Sequence, residues 1–374
     1  MPGSKPVTSG ALNRRDLLAS STSVLAAAGA VKALQSHGLR GPLRVVQIGV
    51  QGHWGEIMRD VPRAQDCRLV AVARSQPGED LSALQSRPAW NDEVRIYDDY
   101  RKMLEEVRPH LVATFMPYGL NGQANIAAAR QGCHIISEKP LAGTLGELQT
   151  LRQERDRAGV RITALLGMRL APALAAARRA IAYGLIGEPV LVSAQKSYRW
   201  GTNRPEFYKQ RRTYGGSIPW VAIHAIDFIR FVTGLEYAEV TARQAVKVHK
   251  DYPGCEDCGA LLFGMTNGGH ATLTFDFLRP AKADSHGDDR LRVVGSKGVV
   301  EARLAGKGTC ELVTNGEELT SLPLPDSGRS QFLDFVAEIR GGPQHFLAPD
   351  DAFRATEVAL KARDAADEGR TVKL

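Results

Sequence analysis

The sequence contains few cysteines and few aromatic residues. Five cysteines in a chain of 374 residues do not form the dense disulfide framework that stabilises small secreted domains. One pair, Cys255 and Cys258, has C-x-x-C spacing, but a structural zinc site needs four ligands and the sequence offers no second pair. We therefore predict no bound metal, and we keep a local disulfide between these two cysteines as an alternative.

Basic blocks and long hydrophobic runs are also missing. The formal net charge is +7, yet lysine and arginine do not gather in one block or interleave with aromatic residues, as nucleic-acid-binding surfaces require. The apolar run from Leu17 to Val31 is too short and too mild to span a bilayer. We predict a globular protein of about two domains, with neither nucleic acid nor a membrane as its partner.

The N-terminal segment has the features of a twin-arginine export signal. Arg14 and Arg15 precede the Ala/Ser-rich run, and Ala28-Gly29-Ala30 offers a small-residue cleavage site. We predict a signal peptide over residues 1–30, a linker over 31–41 and a periplasmic protein carried by the twin-arginine export machinery. The alternative is an Ala-rich N-terminal helix of a cytoplasmic protein.

Short β-branched runs and helical stretches alternate over residues 42–166. This alternation predicts a doubly wound α/β domain of the Rossmann type with a parallel sheet. The first run ends in a G-x-x-G-x-x-G turn that leads into a helix, where backbone N–H groups can approach a pyrophosphate. A plain tight turn is the alternative. The cofactor contacts predicted in this turn are Gly49, Gln51, Gly52, His53, Trp54 and Gly55.

The second strand of this domain ends in Arg74-Ser75. An acidic residue about 20 positions after the glycine turn commonly binds the ribose hydroxyls of NAD. Here a guanidinium and a hydroxyl stand in its place, and both suit a 2′-phosphate. We therefore predict NADP rather than NAD as the cofactor, with a solvated surface arginine as the alternative.

The sequence Glu138-Lys139-Pro140 follows a short apolar run that is typical of a buried parallel strand. Ligands of open α/β sheets bind at the carboxyl ends of such strands, so Lys139 is the first catalytic candidate. Pro140 restricts Lys139 to extended geometry. Pro117 and Tyr118 follow the preceding strand, and we predict them, with Glu138 and Lys139, as cofactor contacts. A strand-ending salt bridge without chemistry is the alternative.

The pattern changes after residue 166. Several strands separated by glycine turns predict an α+β substrate and oligomerisation domain over residues 167–374, with a large, mostly antiparallel sheet. A long loop begins at Tyr198-Arg199-Trp200, whose aromatic faces and polar groups suit a sugar; an ordinary surface loop is the alternative.

A predicted helix in this second half carries Trp220, His224 and Asp227 on one face. The near-neutral pKa of an ordinary imidazole makes His224 the candidate general acid/base. Asp227 would orient that ring or make a supporting hydrogen bond. A histidine that merely packs on an amphipathic helix is the alternative.

Residues 42–374 resemble the Gfo/Idh/MocA family of sugar oxidoreductases. The resemblance rests on the glycine turn, Glu138-Lys139-Pro140, Met168-Arg169-Leu170-Ala171-Pro172, and Gly215-Gly216 followed by His224. It implies that Lys139 lies beside nicotinamide and substrate, that the Lys-Pro bond is often cis and that His224 is the acid/base. It also places Arg169 among the cofactor contacts and implies a homodimer or homotetramer through the open sheet face.

One position departs from the family pattern. Trp220 stands where the family usually has an aspartate, and an indole can neither exchange a proton nor accept a hydrogen bond. We predict that Trp220 binds substrate together with Lys139, Tyr198, Arg199, Trp200 and His224.

The predicted function is that of an exported NADP-dependent oxidoreductase, which transfers hydride between nicotinamide and a carbinol carbon of a sugar, cyclitol or derivative. The alternatives are a glycosidase that retains its redox cofactor and a non-catalytic, dinucleotide-binding ligand sensor.

Replacement of Arg14 and Arg15 by lysine is expected to leave the protein in the cytoplasm, because the export machinery recognises the arginine pair. Cell fractionation measures the distribution, and Lys5→Arg serves as a control outside the pair. An unchanged periplasmic share in the double variant would contradict the predicted signal.

Overall fold

A computed structural model describes residues 41–325 and 328–374. The predicted signal peptide and all of the predicted linker except Gly41 lie outside the described residues.

The first sheet has six parallel strands in the order β3-β2-β1-β4-β5-β6. Its strands are β1 (Leu43–Ile48), β2 (Cys67–Ala73), β3 (Arg95–Tyr97), β4 (Leu111–Thr114), β5 (His134–Ser137) and β6 (Ile162–Ala164). The chain reverses its direction of winding between β1 and β4, which creates the switch point where such sheets bind ligands. The glycine turn follows β1, and Glu138-Lys139 follows β5, so both lie at this edge.

Five helices connect these strands. They are α1 (Trp54–Asp60), α2 (Ser82–Gln85), α3 (Tyr100–Val107), α4 (Asn121–Arg130) and α5 (Leu145–Ala158). Helix α5 is capped at both ends. The Thr144 side chain accepts a hydrogen bond from the Glu147 N–H at 3.1 Å, and Gly159 closes the helix in the left-handed conformation.

The second sheet has nine strands in the order β14-β13-β12-β11-β7-β10-β9-β8-β15. Strands β7 and β10 pair in parallel and the other neighbours are antiparallel. The strands are β7 (Pro189–Arg199), β8 (Tyr237–Ala245), β9 (Cys258–Met265), β10 (His270–Arg279), β11 (Arg290–Gly295), β12 (Gly298–Arg303), β13 (Thr309–Thr314), β14 (Thr320–Ser321) and β15 (Val372–Lys373). The predicted fold class, a parallel Rossmann sheet followed by a mostly antiparallel one, is confirmed.

Three helices of the second half pack against one face of this sheet: α6 (Pro172–Ala182), α8 (Ile223–Thr233) and α10 (Asp351–Glu368). The short helix α7 (Arg211–Tyr214) precedes α8, and α9 (Gln331–Ile339) contacts α1 and β5 of the first half. Helix α8 contacts both α6 and α10 and buries Phe228 and Ile229 fully. Along β10, Leu273 and Phe275 point into the core while Thr272 and Thr274 are exposed, so the opposite face of the sheet is open.

A π-turn over Ile218–Ala222 leads directly into α8. Single π-turns of this kind occur often at functional sites, and this one carries Trp220. No helix among the described residues is long and apolar enough to cross a bilayer.

Candidate active site

Two glycines of the turn after β1 lie very close to other parts of the protein. Gly49 and Gly52 both have positive φ angles, +74° and +70°. A Cβ atom on Gly49 would lie 2.2 Å from the carbonyl oxygen of Phe115, and one on Gly52 would lie 2.1 Å from Oε2 of Glu138. Only glycine therefore fits at either position. A Cβ on Gly55 would approach nothing closer than 3.8 Å, so the outer side of the turn is open, as a bound pyrophosphate requires.

The Glu138 carboxylate lies beneath this turn and is fully buried. It accepts hydrogen bonds from the His53 N–H at 2.6 Å and the Lys139 N–H at 3.1 Å, and it forms an ion pair with Lys139 Nζ at 2.9 Å. Burial by itself would raise the pKa of Glu138, but Lys139 and His53 outweigh it and hold the pKa at about 2. Glu138 is therefore a permanent anion that supports Lys139 from below.

Lys139 follows β5, and its bond to Pro140 is cis, the isomer that the family resemblance implied. The side chain is 1% exposed. Burial lowers the pKa of the ammonium to about 8, in part opposed by the charge of Glu138. Lys139 can therefore gain and lose a proton near neutral pH, which suits a group that acts on a reacting oxygen.

His53 adjoins this pair from the glycine turn. Its Nδ1 lies 2.9 Å from Glu138 Oε2 and 3.1 Å from Lys139 Nζ. One nitrogen serves only one of these partners at a time: a protonated Nδ1 donates to Glu138, and a bare Nδ1 accepts from Lys139. The tautomer of His53 therefore decides whether one Lys139 N–H is used by His53 or is available to another acceptor.

Trp220 covers the Lys139 ammonium. Lys139 Nζ lies 3.4 Å from the centre of the indole, and the Tyr118 ring stacks on the indole at 3.3 Å with an angle of 8°. Two groups this close to one ring centre must occupy opposite faces, so neither face is left to stack on a sugar. Trp220 was predicted to bind substrate, but its indole holds the Lys139 cation by a cation–π contact and offers only its edge to a ligand.

Pro117 and Tyr118, both predicted cofactor contacts, are buried. The Tyr118 hydroxyl lies 3.0 Å from that of Tyr208, and burial raises the Tyr118 pKa well above its usual value. Both residues shape the floor of the site, and neither side chain is open to a cofactor.

His224 lies one turn after Trp220 and lines the same cavity. Its Nδ1 is buried and has no hydrogen-bond partner among the described residues. Burial, together with the charges of Lys139, Lys196 and His53, lowers the pKa of the imidazole well below its usual value. His224 is consequently neutral at physiological pH and able to accept a proton.

Asp227 does not contact His224, which corrects the predicted pairing. Its two carboxylate oxygens bind the Arg169 guanidinium at 2.6 and 2.8 Å, and Arg169 also contacts Asp351 at 2.6 Å. Arg169 lines a different cavity from the one that holds Lys139, and its role in binding the cofactor stays a prediction. This cluster fastens the loop after β6 to helices α8 and α10.

The predicted sugar-binding residues Tyr198, Arg199 and Trp200 line the cavity from the second sheet. The cavity has a volume of about 400 Å³, within the range of small-molecule sites. Its lining residues are His53, Lys139, Tyr198, Arg199, Trp200, Thr202, Asn203, Arg204, Pro205, Tyr208, Trp220, Val221, His224, Phe277 and His286.

The sequence did not reveal Lys196, which supports the cavity-lining residue Tyr198. Lys196 is fully buried on β7 and donates hydrogen bonds to the Tyr198 hydroxyl and to Asp289, both at 2.5 Å. The Lys196 ammonium fixes Tyr198 in place, and the alternation of β7 was the only sequence signal that it points inward. Phe277 and His286 were also missed, because they come from β10 and the segment after it.

The end of β2 differs from the arrangement that Arg74-Ser75 predicted. The Arg74 guanidinium turns to Asp98 at 2.7 Å and to the backbone oxygen of Glu79 at 3.1 Å. The buried Glu79 carboxylate accepts hydrogen bonds from the Ser75 N–H and hydroxyl, each at 2.7 Å, and from the Gln51 amide at 2.8 Å. A carboxylate therefore lies beside the glycine turn, and no sequence signal identified it.

Cys255 and Cys258 are both free thiols, and burial raises the Cys255 pKa to about 11. Among the described residues, no group of three His, Cys, Asp or Glu side chains is placed to hold a metal ion.

Asp227→Asn is expected to destabilise the protein by about 3 kcal/mol, because it removes one partner of a buried ion pair. Turnover per folded molecule should change little, since Asp227 does not line the cavity. Urea unfolding measures the first effect, and His224→Asn is the matched variant in which activity should fall while stability is nearly kept. Loss of activity in Asp227→Asn without loss of stability would contradict this expectation and support a catalytic role for Asp227.

The geometry agrees with comparisons to known proteins. Residues 43–165 match the family model described as an oxidoreductase family with NAD-binding Rossmann fold, and residues 174–301 match that of the GFO/IDH/MocA C-terminal domain. An inositol 2-dehydrogenase of Rhizobium meliloti is 28% identical over 327 residues, which cover 83% of this chain and 92% of that protein.

Solved structures extend the likeness to the whole fold. An oxidoreductase from Thermotoga maritima is 35% identical, with a TM-score of 0.83 over 89% of this chain and 100% of that one. The aldose-aldose oxidoreductase of Caulobacter crescentus shares the fold at 22% identity, with a TM-score of 0.74 over 89% of this chain and 100% of that one. The two matched domains show that this chain belongs to the Gfo/Idh/MocA family of oxidoreductases.

Proposed function

We propose that this protein is an exported, dinucleotide-dependent oxidoreductase that interconverts a carbinol and a carbonyl group on a sugar, cyclitol or derivative. The observation that carries the proposal is that Lys139, with a pKa of about 8, and the neutral His224 line one cavity of about 400 Å³. A titratable amine and a bare imidazole in one cleft form an acid/base pair for a hydroxyl group.

A bound nicotinamide would supply the hydride acceptor or donor. In the direction of oxidation, the Lys139 ammonium donates a hydrogen bond to the substrate hydroxyl oxygen and stabilises the charge that develops there. His224 accepts the hydroxyl proton, because its ring is neutral and has an unpartnered nitrogen. Glu138 stays ionised and holds Lys139 in place, and Tyr198, fixed by Lys196, forms part of the wall that orients the sugar.

The non-catalytic sensor is the second candidate. It is favoured by Trp220, which covers the Lys139 ammonium and replaces the aspartate usual at this position. Turnover discriminates the two, since a sensor would bind ligand without reducing or oxidising a cofactor. The glycosidase that retains its cofactor uses the same hydride transfer, and it would purify with the dinucleotide bound.

We further propose export through Arg14 and Arg15, and a homodimer or homotetramer that covers the open face of the second sheet. Exposed apolar side chains support this assembly surface, among them Val190, Leu191 and Leu262.

The NADP prediction rests on Arg74 and Ser75, and the contacts at the end of β2 oppose it. Asp98 neutralises Arg74, and the Glu79 carboxylate occupies the Ser75 donors that a 2′-phosphate would need. A second anion beside this carboxylate would be repelled, whereas ribose hydroxyls can donate to it. We therefore propose NAD as the preferred cofactor, in place of NADP.

Lys139→Ala is expected to lower kcat by at least about 100-fold, the usual contribution of acid/base catalysis, with dinucleotide affinity nearly unchanged. In the wild type, kcat/KM for oxidation should fall as pH rises through about 8, because Lys139 then loses the positive charge that stabilises the reacting oxygen. Steady-state kinetics between pH 6 and 10 test both, with the exposed Lys102→Ala as control. Full turnover in Lys139→Ala would remove the central claim.

Glu79→Gln is expected to shift the ratio of the NAD and NADP dissociation constants about tenfold toward NADP, because it removes a repulsive charge worth about 1.4 kcal/mol or more. Titration calorimetry measures both constants, and the exposed Glu105→Gln of α3 is the matched control. If Arg74 selects NADP, the wild type will instead prefer NADP and Arg74→Asp will shift the ratio toward NAD.

A further inference from the structure

The cavity that holds Lys139 and His224 is lined by positive charge alone. Arg199 and Arg204 contribute full cations, Lys139 contributes an ammonium that is paired with Glu138 behind it, and His53, His224 and His286 contribute imidazoles. No aspartate or glutamate is among the residues that line it. A cleft lined by one sign of charge concentrates ligands of the opposite sign.

Arg199 and Arg204 have no carboxylate partner among the described residues. The Nε atom of each is buried and lacks a hydrogen-bond acceptor. The nearby carboxylates are already engaged: Asp289 binds Lys196, and Asp288 binds Arg279 and Arg290. Buried donors without acceptors are costly in a folded protein, so these two guanidiniums point to a missing anion.

Arg204 is held in place by aromatic rings. Its guanidinium carbon lies 3.9 Å from the ring centre of Trp200, 4.4 Å from that of Phe277 and 4.7 Å from that of Tyr208. It also donates a hydrogen bond to the Trp200 backbone oxygen at 2.5 Å. The rings immobilise the cation without neutralising it. Little side-chain entropy would therefore be lost when a ligand binds Arg204.

Two buried cations elsewhere among the described residues are neutralised. Arg169 is neutralised by Asp227 and Asp351, and Lys196 by Asp289. Arg199 and Arg204 differ from these two cations in having no carboxylate partner among the described residues. They belong to β7 and the loop after it, in the second half of the chain, and not to the glycine turn that would hold the cofactor phosphates.

We propose that the substrate is an anionic sugar, whose carboxylate or phosphate group binds Arg199 and Arg204 while a carbinol group meets Lys139 and His224. The inference rests on the proposed function, since it names the substrate class of that site. A guanidinium presents paired N–H donors that match a carboxylate or a phosphate, and no neutral hydroxyl satisfies such a pair equally well.

Matched pairs of compounds test the charge preference. D-glucose, D-glucuronate and D-glucose 6-phosphate are each added to the wild-type protein with NAD and with NADP, and reduction is followed by absorbance. Binding of the same three compounds is measured by calorimetry in the presence of dinucleotide. We expect one anionic sugar to bind at least about tenfold more tightly than glucose. Tighter binding of glucuronate would indicate a carboxylate site, and tighter binding of glucose 6-phosphate a phosphate site.

Arg199→Gln and Arg204→Gln are expected to raise KM for the anionic sugar roughly 10- to 100-fold, with KM for the dinucleotide unchanged. The exposed Arg212→Gln, from the same segment, is the matched control. Because Arg204 packs among aromatic rings, Arg204→Lys is made as well, and it should recover part of the affinity by retaining the charge.

The possible failures are distinguishable. Equal binding of glucose and both anions, or equal effects of the two glutamine variants on neutral and anionic sugars, would overturn the anionic substrate and leave the oxidoreductase standing. Preferential binding of an anion without any cofactor reduction would support the anion site and count against the proposed catalysis.

Discussion

The candidate site depends on one buried ion pair. Glu138 and Lys139 are both removed from water, which costs several kcal/mol per ion before their attraction and hydrogen bonds offset it. Two asparagines of α4 hold the loop that carries the pair: Asn121 donates to the backbone oxygens of Glu138 and Pro140, each at 3.0 Å, and Asn125 donates to that of Leu141 at 2.9 Å. The glycine turn is bound to the same carboxylate through the His53 N–H. It approaches the carboxylate so closely that a side chain at Gly52 would collide with it. The glycine turn and the candidate catalytic residue Lys139 are therefore parts of one structure.

Arginines play two different roles in this protein, depending on whether a carboxylate neutralises them. The guanidinium of Arg169 is neutralised by carboxylates and serves packing between the loop after β6, α8 and α10. The Arg204 guanidinium is held by a backbone oxygen and aromatic rings. Neither Arg204 nor Arg199 has a carboxylate partner among the described residues, so both keep their charge available to the cavity. A cation that carboxylates neutralise inside the protein serves packing, whereas an unpaired one at a cavity wall points to a ligand.

Much of the site follows from the sequence. Lys139 and His224 were identified from a strand end and a helix face, and both line one cavity with Tyr198, Arg199 and Trp200. The sequence could not tell which neighbour Asp227 would meet, because helical spacing gives the side of the helix and not the element packed against it. It also placed Trp220 on an ordinary helical turn, whereas a π-turn and the Tyr118 ring leave its faces filled. Glu79 escaped notice because the loop after β2 folds back onto Ser75, and loop conformation has no periodic signal.

The sequence by itself determined the order of strands and helices, the parallel character of the first sheet and the family, because hydrophobic periodicity and glycine spacing are local properties of the chain. Only the tertiary structure decided which charges are neutralised and which are left free. Ion pairing depends on contacts between residues far apart in the chain, such as Arg169 with Asp351 or Lys196 with Asp289, and burial then sets how strongly each charge acts. The positive lining of the cavity and the carboxylate at the end of β2 are therefore properties of the fold.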